Sequence, residues 1–137
     1  MTESALPKNP SVSEVSKFFE GDKFAYGLAG CRVVSAANGS AVCEMQLTKN
    51  HYNAAGSVMG GAIFTLADFC LGVASNINEP PTVAVNNTIE FMSKAKGNKL
   101  IATCSVNKSG HSLGFYTVDV TDNTGRAVAK MTATCYR

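Results

Sequence analysis

The chain has 137 residues with 45% hydrophobic and 16% charged side chains, a formal net charge of +2 and no tryptophan. This length predicts a single domain over residues 1–137 with its own core, and the apolar composition leaves room for a subunit interface. The weak charge and the lack of tryptophan argue against nucleic-acid binding, which uses a basic surface and often aromatic platforms.

The N-terminal segment, the longest apolar run and the cysteines predict the cellular compartment of the protein. Residues 1–10 contain two prolines and are expected to form a loose N-terminal segment, without the basic stretch and apolar run of a secretory signal. The longest apolar run contains Asp68 and ends at Asn76, short of the roughly 20 residues of a membrane span. Five widely spaced cysteines form no C-x-x-C pair, which predicts reduced thiols and no metal site. We therefore expect a soluble, cytoplasmic protein that binds no membrane.

The first elements have local signals. Ser11 with Glu14 three residues later forms a capping box, which predicts a short helix leading into Phe18 and Phe19. Asn38-Gly39 then separates two strand patterns, residues 31–37 and 40–47, and this dipeptide favours a type I′ hairpin with positive φ at both positions. Two antiparallel strands are predicted.

A long helix is predicted from Gly60-Gly61 to about Asn76, where Asn-Glu-Pro-Pro ends it. Because this helix is apolar almost all round, it has to be covered on most sides, and an antiparallel sheet curled around it would do so. Beyond Pro81 the pattern alternates with a period of two, which predicts four more strands. In residues 112–122 the apolar phase slips at Phe115-Tyr116, which predicts a bulge there.

One face of the long helix is small and polar. Positions 61, 65, 68, 72 and 75 share this face and carry Gly, Thr, Asp, Gly and Ser. The face is either a solvated stripe or a surface that another molecule approaches closely, since two glycines cost about 1 kcal/mol each in helix propensity. A poorly solvated carboxylate at Asp68 is a candidate general base or nucleophile. The backbone N–H groups of Gly60 and Gly61 are a candidate oxyanion hole.

These two features cannot serve one carbonyl within a single chain. Gly60 and Asp68 are separated by about 12 Å along the helix axis, whereas reacting atoms must come within about 3.5 Å. A two-fold dimer resolves the separation, because Gly60 of one subunit can face Asp68 of the other. The sequence therefore predicts a site between subunits.

Two stretches carry a family resemblance: HYNAAGSVMGGAIFTLADFCLG and, downstream, VNNTIEFMSKAKG. They resemble the hotdog-fold acyl-CoA thioesterases of the phenylacetate-degradation (PaaI-like) group, whose pattern is N-x-x-G-x-x-H-G-G-x-x-x-x-L-x-D. The match runs from about Gly27 to the C-terminus. It implies an α+β hotdog fold, in which a curved antiparallel sheet of about six strands wraps a long central helix. It also implies a homodimer, paired into a homotetramer.

The resemblance implies hydrolysis of acyl-CoA or aryl-CoA thioesters, with coenzyme A as part of the substrate and no cofactor. Gly60 would polarise the thioester carbonyl and Gly61 would contact the substrate. Asp68 of the neighbouring subunit would attack the carbonyl or activate water, and Asn53 would position the water or the carboxylate.

Two positions depart from the family pattern. The histidine before the glycine pair is Met59 here, and a strand position that often carries Ser or Thr aligns with Ala84. Thr82 and Asn86 are expected on the same strand face as Ala84 and could compensate. Met59, Thr82, Ala84 and Asn86 are therefore included among the substrate-binding candidates.

Other polar residues are weaker candidates. Lys94, Lys96 and Lys108, with Lys99 nearby, either bind the phosphates of coenzyme A or only solubilise strand ends. His51 is expected to be a solvated loop residue, with a polar role near the site as the alternative, and His111 is expected to face water.

Three alternatives to a thioesterase exist, and the sequence argues against the second of them. The departures at Met59 and Ala84 are compatible with a hotdog dimer that binds acyl-CoA or aryl-CoA without hydrolysing it. A hotdog hydratase would need a histidine shortly after Asp68, and residues 69–75 contain none. The third alternative is a monomeric lipid carrier. The acyl group is not predictable from spacing.

Overall fold

The computed structural model describes residues 4–137. The first helix, α1 (Val12–Phe19), begins with the predicted capping box. The Ser11 hydroxyl accepts from the Glu14 N–H at 3.1 Å, and the Glu14 carboxylate accepts from the Ser11 N–H at 3.0 Å. A π-helical turn, Lys23–Leu28, follows and was not predicted.

The sheet has six strands, with antiparallel pairing between neighbours throughout. They are β1 (Cys31–Ala37), β2 (Ser40–Gln46), β3 (Val83–Phe91), β4 (Lys99–Ser109), β5 (Leu113–Asp122) and β6 (Ala127–Tyr136), in the spatial order β1-β2-β4-β5-β6-β3. The second α-helix, α2 (Gly60–Asn76), has the predicted bounds and contacts all six strands. β1 and β3 are therefore the edges of a sheet that wraps α2.

The core lies between α2 and the inner face of the sheet. Leu66, Cys70 and Val73 of α2 are fully buried, as are Met45 and Leu100 of the strands that cover them. Each such leucine or valine contributes about 1.5–3 kcal/mol through burial. All five cysteines are free and buried.

The first hairpin differs from the predicted type I′ turn. Gly39 has φ +79°, but Asn78 is the one non-glycine residue with positive φ in residues 4–137, so Asn38 does not have the type I′ conformation. The reason is tertiary: the Asn38 side chain donates to the Ile77 carbonyl at 2.7 Å, and the Gly39 N–H donates to the Ala74 carbonyl at 2.9 Å. The turn is thus adapted to the end of α2.

The bulge predicted in β5 lies on the opposite strand. β5 alternates without interruption, so Phe115 faces outward and Tyr116 faces inward. Val106 pairs with Tyr116 and Lys108 pairs with Phe115, which leaves Asn107 of β4 as the extra residue. The apolar pattern slips because Leu113 and Phe115 are exposed at the start of β5 although they are apolar. The same face of the strand is buried throughout.

Within the segment expected to be loose, Leu6 is 4% exposed and forms a bridge with Ile77. Residues 1–3 lie outside the described part of the chain. In residues 4–137, no helix is both long and apolar enough to cross a membrane.

Candidate active site

A cleft of about 710 Å³ lies between the polar face of α2, the start of β3 and the segment before β1. Asp68 lies in this cleft together with Thr65 and Gly72 of α2 and Thr82 and Ala84 near the start of β3. Phe64 and Phe69 of α2, and Asp22, Lys23 and Phe24 of the segment before β1, complete its walls. The polar face of α2 is therefore an open wall of a cleft, not a solvated stripe.

Asp68 is the carboxylate on the α2 wall of this cleft. Desolvation by the surrounding atoms raises its pKa, a hydrogen bond from the Asn87 side chain opposes the shift, and the nearby charge of Asp22 raises the pKa further. Asp68 is nevertheless exposed in the single chain, so substrate or a partner can reach it. A carboxylate with a raised pKa is a stronger base than a solvated one.

The N-terminus of α2 is open to a ligand. Met59 precedes the helix without a capping side chain, and within residues 4–137 the N–H groups of Gly60 and Gly61 donate to no acceptor. A Cβ on Gly60 would lie 3.2 Å from Cζ of Phe91, so a side chain there would be crowded. Free N–H groups at the positive end of a helix suit a developing oxyanion.

The structure keeps the two halves of the predicted site apart in one chain. Gly60 lines a separate depression of about 310 Å³ with Phe91 and Lys94, whereas Asp68 lines the larger cleft. Gly61 and Met59 line a third, apolar cavity of about 520 Å³. Thr65 and Phe24 border both this cavity and the Asp68 cleft.

Asn53 organises the loop that leads into α2. Its side-chain oxygen accepts from the N–H groups of Ala55 at 3.0 Å and Ser57 at 3.1 Å, and its own N–H donates to the Ser57 carbonyl. The oxygen is therefore committed within the loop, while the amide NH₂ has no acceptor in residues 4–137. Its predicted role in positioning water or a carboxylate would have to use this NH₂ group.

His51 is buried, so the prediction of a solvated histidine is wrong. Its Nδ1 accepts from the Thr48 N–H at 3.0 Å, and its Nε2 donates to the Ala29 carbonyl at 2.7 Å. The Met59 N–H donates to the His51 carbonyl at 2.8 Å. His51 thus holds the segment that leads into α2 in place. His111 is exposed as predicted.

β3 does not have the predicted arrangement of side chains. Ala84 pairs with Cys135 and Asn86 pairs with Thr134, so Val85 is an extra residue and forms a bulge. Alternation restarts after the bulge, and Asn87, opposite the buried Ala133, faces inward. The expectation that Asn86 shares a face with Thr82 and Ala84 is therefore wrong.

The lysines are not brought together. Lys94 lies beside the Gly60 depression, and the Lys96 N–H donates to the buried Asp122 carboxylate. Lys99 pairs with Glu44 at 3.4 Å. Lys108 lies at the far end of β4, about 30 Å from Lys99 at the strand rise of about 3.4 Å per residue. Lys108 cannot share one phosphate with Lys94 and Lys96 of the same chain.

Sequence reasoning missed three residues around Asp68. Asn87 was assigned no role, and Asp22 and Phe24 lie in or beside the unpredicted π-helical turn. Two consecutive asparagines inside a strand are unfavourable for β structure, which could have drawn attention to Asn87. The segment around Asp22 carries no comparable signal.

Comparison with known proteins identifies the family of the chain. The model of the Thioesterase superfamily matches residues 55–129. Acyl-coenzyme A thioesterase 13 of Homo sapiens is 37% identical over 125 residues, which cover 88% of this chain and 89% of the relative. Acyl-coenzyme A thioesterase PaaI of Escherichia coli is 32% identical over 112 residues, covering 81% and 79%.

A solved structure supports the same assignment. Zebra fish thioesterase superfamily member 2 superposes with a TM-score of 0.80 at 32% identity, covering 92% of this chain and 97% of that one. The E. coli PaaI protein superposes with a TM-score of 0.79 at 27% identity, covering 92% and 95%. The chain therefore belongs to the thioesterase superfamily and has the hotdog fold that its central motif indicated.

Proposed function

We propose that the protein hydrolyses acyl-CoA or aryl-CoA thioesters to the free acid and coenzyme A, at a site shared by two subunits. The observation that carries this proposal is the arrangement along α2. There the amides of Gly60 and Gly61, unpaired within residues 4–137, precede the partly desolvated carboxylate of Asp68 by about two turns. The names of the human and E. coli relatives support the substrate class. Coenzyme A enters as part of the substrate, and no cofactor is needed.

In this proposal the Gly60 N–H donates to the thioester oxygen and stabilises the charge that develops there. Asp68 of the neighbouring subunit attacks the carbonyl carbon, or takes a proton from a water that attacks it. The C–S bond then breaks and the thiolate of coenzyme A leaves. If Asp68 attacks directly, a water hydrolyses the resulting anhydride in a second step. Single turnover in ¹⁸O-water separates the routes, because only direct attack leaves label in Asp68.

The free edge of the sheet supports the proposed dimer. β3 pairs with β6 on one side only, and its Val83, Val85 and Phe91 are 60%, 59% and 54% exposed. Long apolar edge strands are normally covered. Two copies of β3 paired about a two-fold axis would extend the sheet and bring the two α2 helices side by side. A tetramer of two such dimers is the further assembly we propose.

The exposed lysines bear on where the phosphates of coenzyme A bind, and the buried thiols bear on the cellular compartment. Lys94 lies beside the Gly60 depression and is the candidate for the coenzyme A phosphates, with Lys96 next to it and Lys108 able to contribute only from another chain. Five free, buried cysteines fit a reducing, cytoplasmic setting.

The test is release of free thiol from a panel of acyl-CoA and aryl-CoA esters. We expect turnover by the wild type and a loss of about 10²- to 10⁴-fold in kcat for Asp68→Asn, because the general base or nucleophile is removed without a change of shape. A wild type that binds these esters tightly without turnover would instead establish the alternative, a binding protein, which the replacement of the family histidine by Met59 favours.

Subunit mixing tests the shared site. Gly60→Ala and Asp68→Asn subunits are unfolded together and reassembled. Mixed dimers then contain one site with both residues intact, and random pairing restores roughly one quarter of wild-type activity. No restoration is expected if Gly60 and Asp68 of the same chain form the site. Each variant reassembled alone is the control.

A further inference from the structure

We propose that Asn87 is the positioning residue for Asp68: its side-chain amide donates to the carboxylate, and its buried oxygen accepts from the water that hydrolysis consumes. This inference rests on the proposed function. It adds Asn87 of β3 to a site whose carboxylate, Asp68, lies on α2.

The strand bulge makes the contact possible. Without it, strict alternation from Thr82 and Ala84 would direct Asn86 toward α2 and Asn87 outward. The extra residue, Val85, reverses this order, so Asn87 lies opposite Ala133 on the face that packs on α2. Bulges are frequent beside active sites because they redirect a side chain.

The hydrogen-bonding groups of Asn87 are used unequally. The Asn87 side chain lowers the pKa of Asp68, which is the effect of a hydrogen bond to the ionised carboxylate. Because an ionised carboxylate only accepts, the amide NH₂ is the donor in the contact we propose. The Oδ1 atom is buried and accepts no hydrogen bond within residues 4–137. A buried acceptor without a partner is costly, so a donor supplied by the assembled site would stabilise it. A water held against Asp68 is such a donor.

The hydroxyl groups near Asp68 are already committed. The Thr65 hydroxyl donates to the Gly61 carbonyl at 2.7 Å, and the Thr82 hydroxyl donates to the Pro80 carbonyl at 2.8 Å. Ala84 offers no polar group. The Ser75 hydroxyl accepts from the Asn76 side chain at 3.3 Å and interacts with Cys135. Asn87 is therefore the uncharged side chain that we assign as the donor to Asp68.

Four titratable groups face Asp68 from the elements around it. Asp22 and Lys23 come from the segment before β1, Cys31 from β1 and Cys135 from β6. Asp22 raises the pKa of Asp68, and the Asn87 amide is the group that lowers it. Without the amide, burial and Asp22 would raise the pKa of Asp68 unopposed. Replacing a residue with a purely structural role would not shift this pKa.

The test compares Asn87→Ala with Thr88→Ala, an exposed neighbour on the same strand. For Asn87→Ala we expect kcat for the best acyl-CoA ester to fall about 10- to 100-fold with KM changed less than about threefold, the scale of one hydrogen bond to a charge. The acid limb of the kcat profile should move to higher pH. Asn87→Ser keeps a donor and should recover part of the loss, and Thr88→Ala should match the wild type.

A second readout does not depend on turnover. The Asp68 carboxyl is titrated by ¹³C NMR in wild type and Asn87→Ala, with Asp68→Asn used to assign the resonance. A higher midpoint in Asn87→Ala supports the proposal, and an unchanged midpoint overturns it, as does an equal loss of kcat in Thr88→Ala. If the wild type hydrolyses no CoA ester, the proposed function fails while this titration still decides whether Asn87 holds Asp68. Asn87→Ser serves both measurements if Asn87→Ala does not fold.

Discussion

Gly60→Ala separates the proposed catalytic role of the helix start from its structural role. In a helix, alanine is more favourable than glycine by about 1 kcal/mol. The new Cβ would meet the Phe91 ring, with Cζ at 3.2 Å and the two Cε atoms at 3.5 and 3.7 Å. Phe91 is 54% exposed on an edge strand, so its ring can give by the few tenths of an ångström required. We expect the stability to change by less than about 1 kcal/mol.

The same methyl group should block the reaction. It would lie next to the Gly60 N–H, where in the proposed mechanism it would crowd an approaching thioester oxygen. Removing one oxyanion-hole donor costs about 10²- to 10³-fold in kcat, and we expect a loss of this order from blocking the amide. The variant should thus be as stable as the wild type and nearly inactive, a combination that an unfolding defect cannot produce.

The assays are urea unfolding at fixed subunit concentration and thiol release under saturating substrate. Phe91→Leu, alone and combined with Gly60→Ala, is the control, because it removes the ring that the methyl meets. Activity should remain low in the double variant and near the wild-type value in Phe91→Leu. A stable Gly60→Ala protein with more than about one third of wild-type kcat would refute the oxyanion role of Gly60.

Two further predictions concern stability and assembly. Burial alone would raise the pKa of Asp122, but hydrogen bonds from Thr124, Lys96 and Arg126 lower it well below its usual range. The contribution of the Asp122 carboxylate to stability is therefore complete above about pH 4 and is lost as the pH falls further. Asp122→Asn should lower the free energy of unfolding by about 2–4 kcal/mol at pH 7 and by less in acid. Urea unfolding at each pH measures this difference. A constant difference would contradict this. Val85→Lys on edge strand β3 should dissociate the dimer by light scattering, whereas Val34→Lys, at the β1 bulge, should not; a dimeric Val85→Lys protein would exclude β3 as the interface.

The elements that sequence reasoning predicted well depend on local signals. The bounds of α2 follow from its glycine start and its proline stop, and the strands follow from apolar side chains at every second position. The capping box at Ser11 involves residues three apart. In each case the interacting groups are close in sequence, so the pattern contains the information.

The errors concern groups that are distant in sequence. His51 is buried because Ala29, 22 residues earlier, offers a carbonyl to its ring. Asn107 forms a bulge because β5 presents Tyr116 and Phe115 at fixed positions across the strand pair. Lys94 precedes β4 and Lys108 lies near the far end of this strand, which places the two lysines at opposite ends of it. None of these relations has a signature within a short window of sequence.

The bulge in β3 is a position where a wrong prediction from the sequence points to a residue with a proposed function. A one-residue slip reverses which of two neighbouring asparagines faces the helix, and asparagine is a poor strand residue on either face. Within residues 4–137 the strand contains an unpaired Val85 and a buried Asn87 oxygen without a partner, and both features are unfavourable for folding. Local unfavourable features of this kind are expected where function requires them. A carboxylate that must stay ionised in a cleft that raises its pKa is such a requirement, and the Asn87 amide meets it.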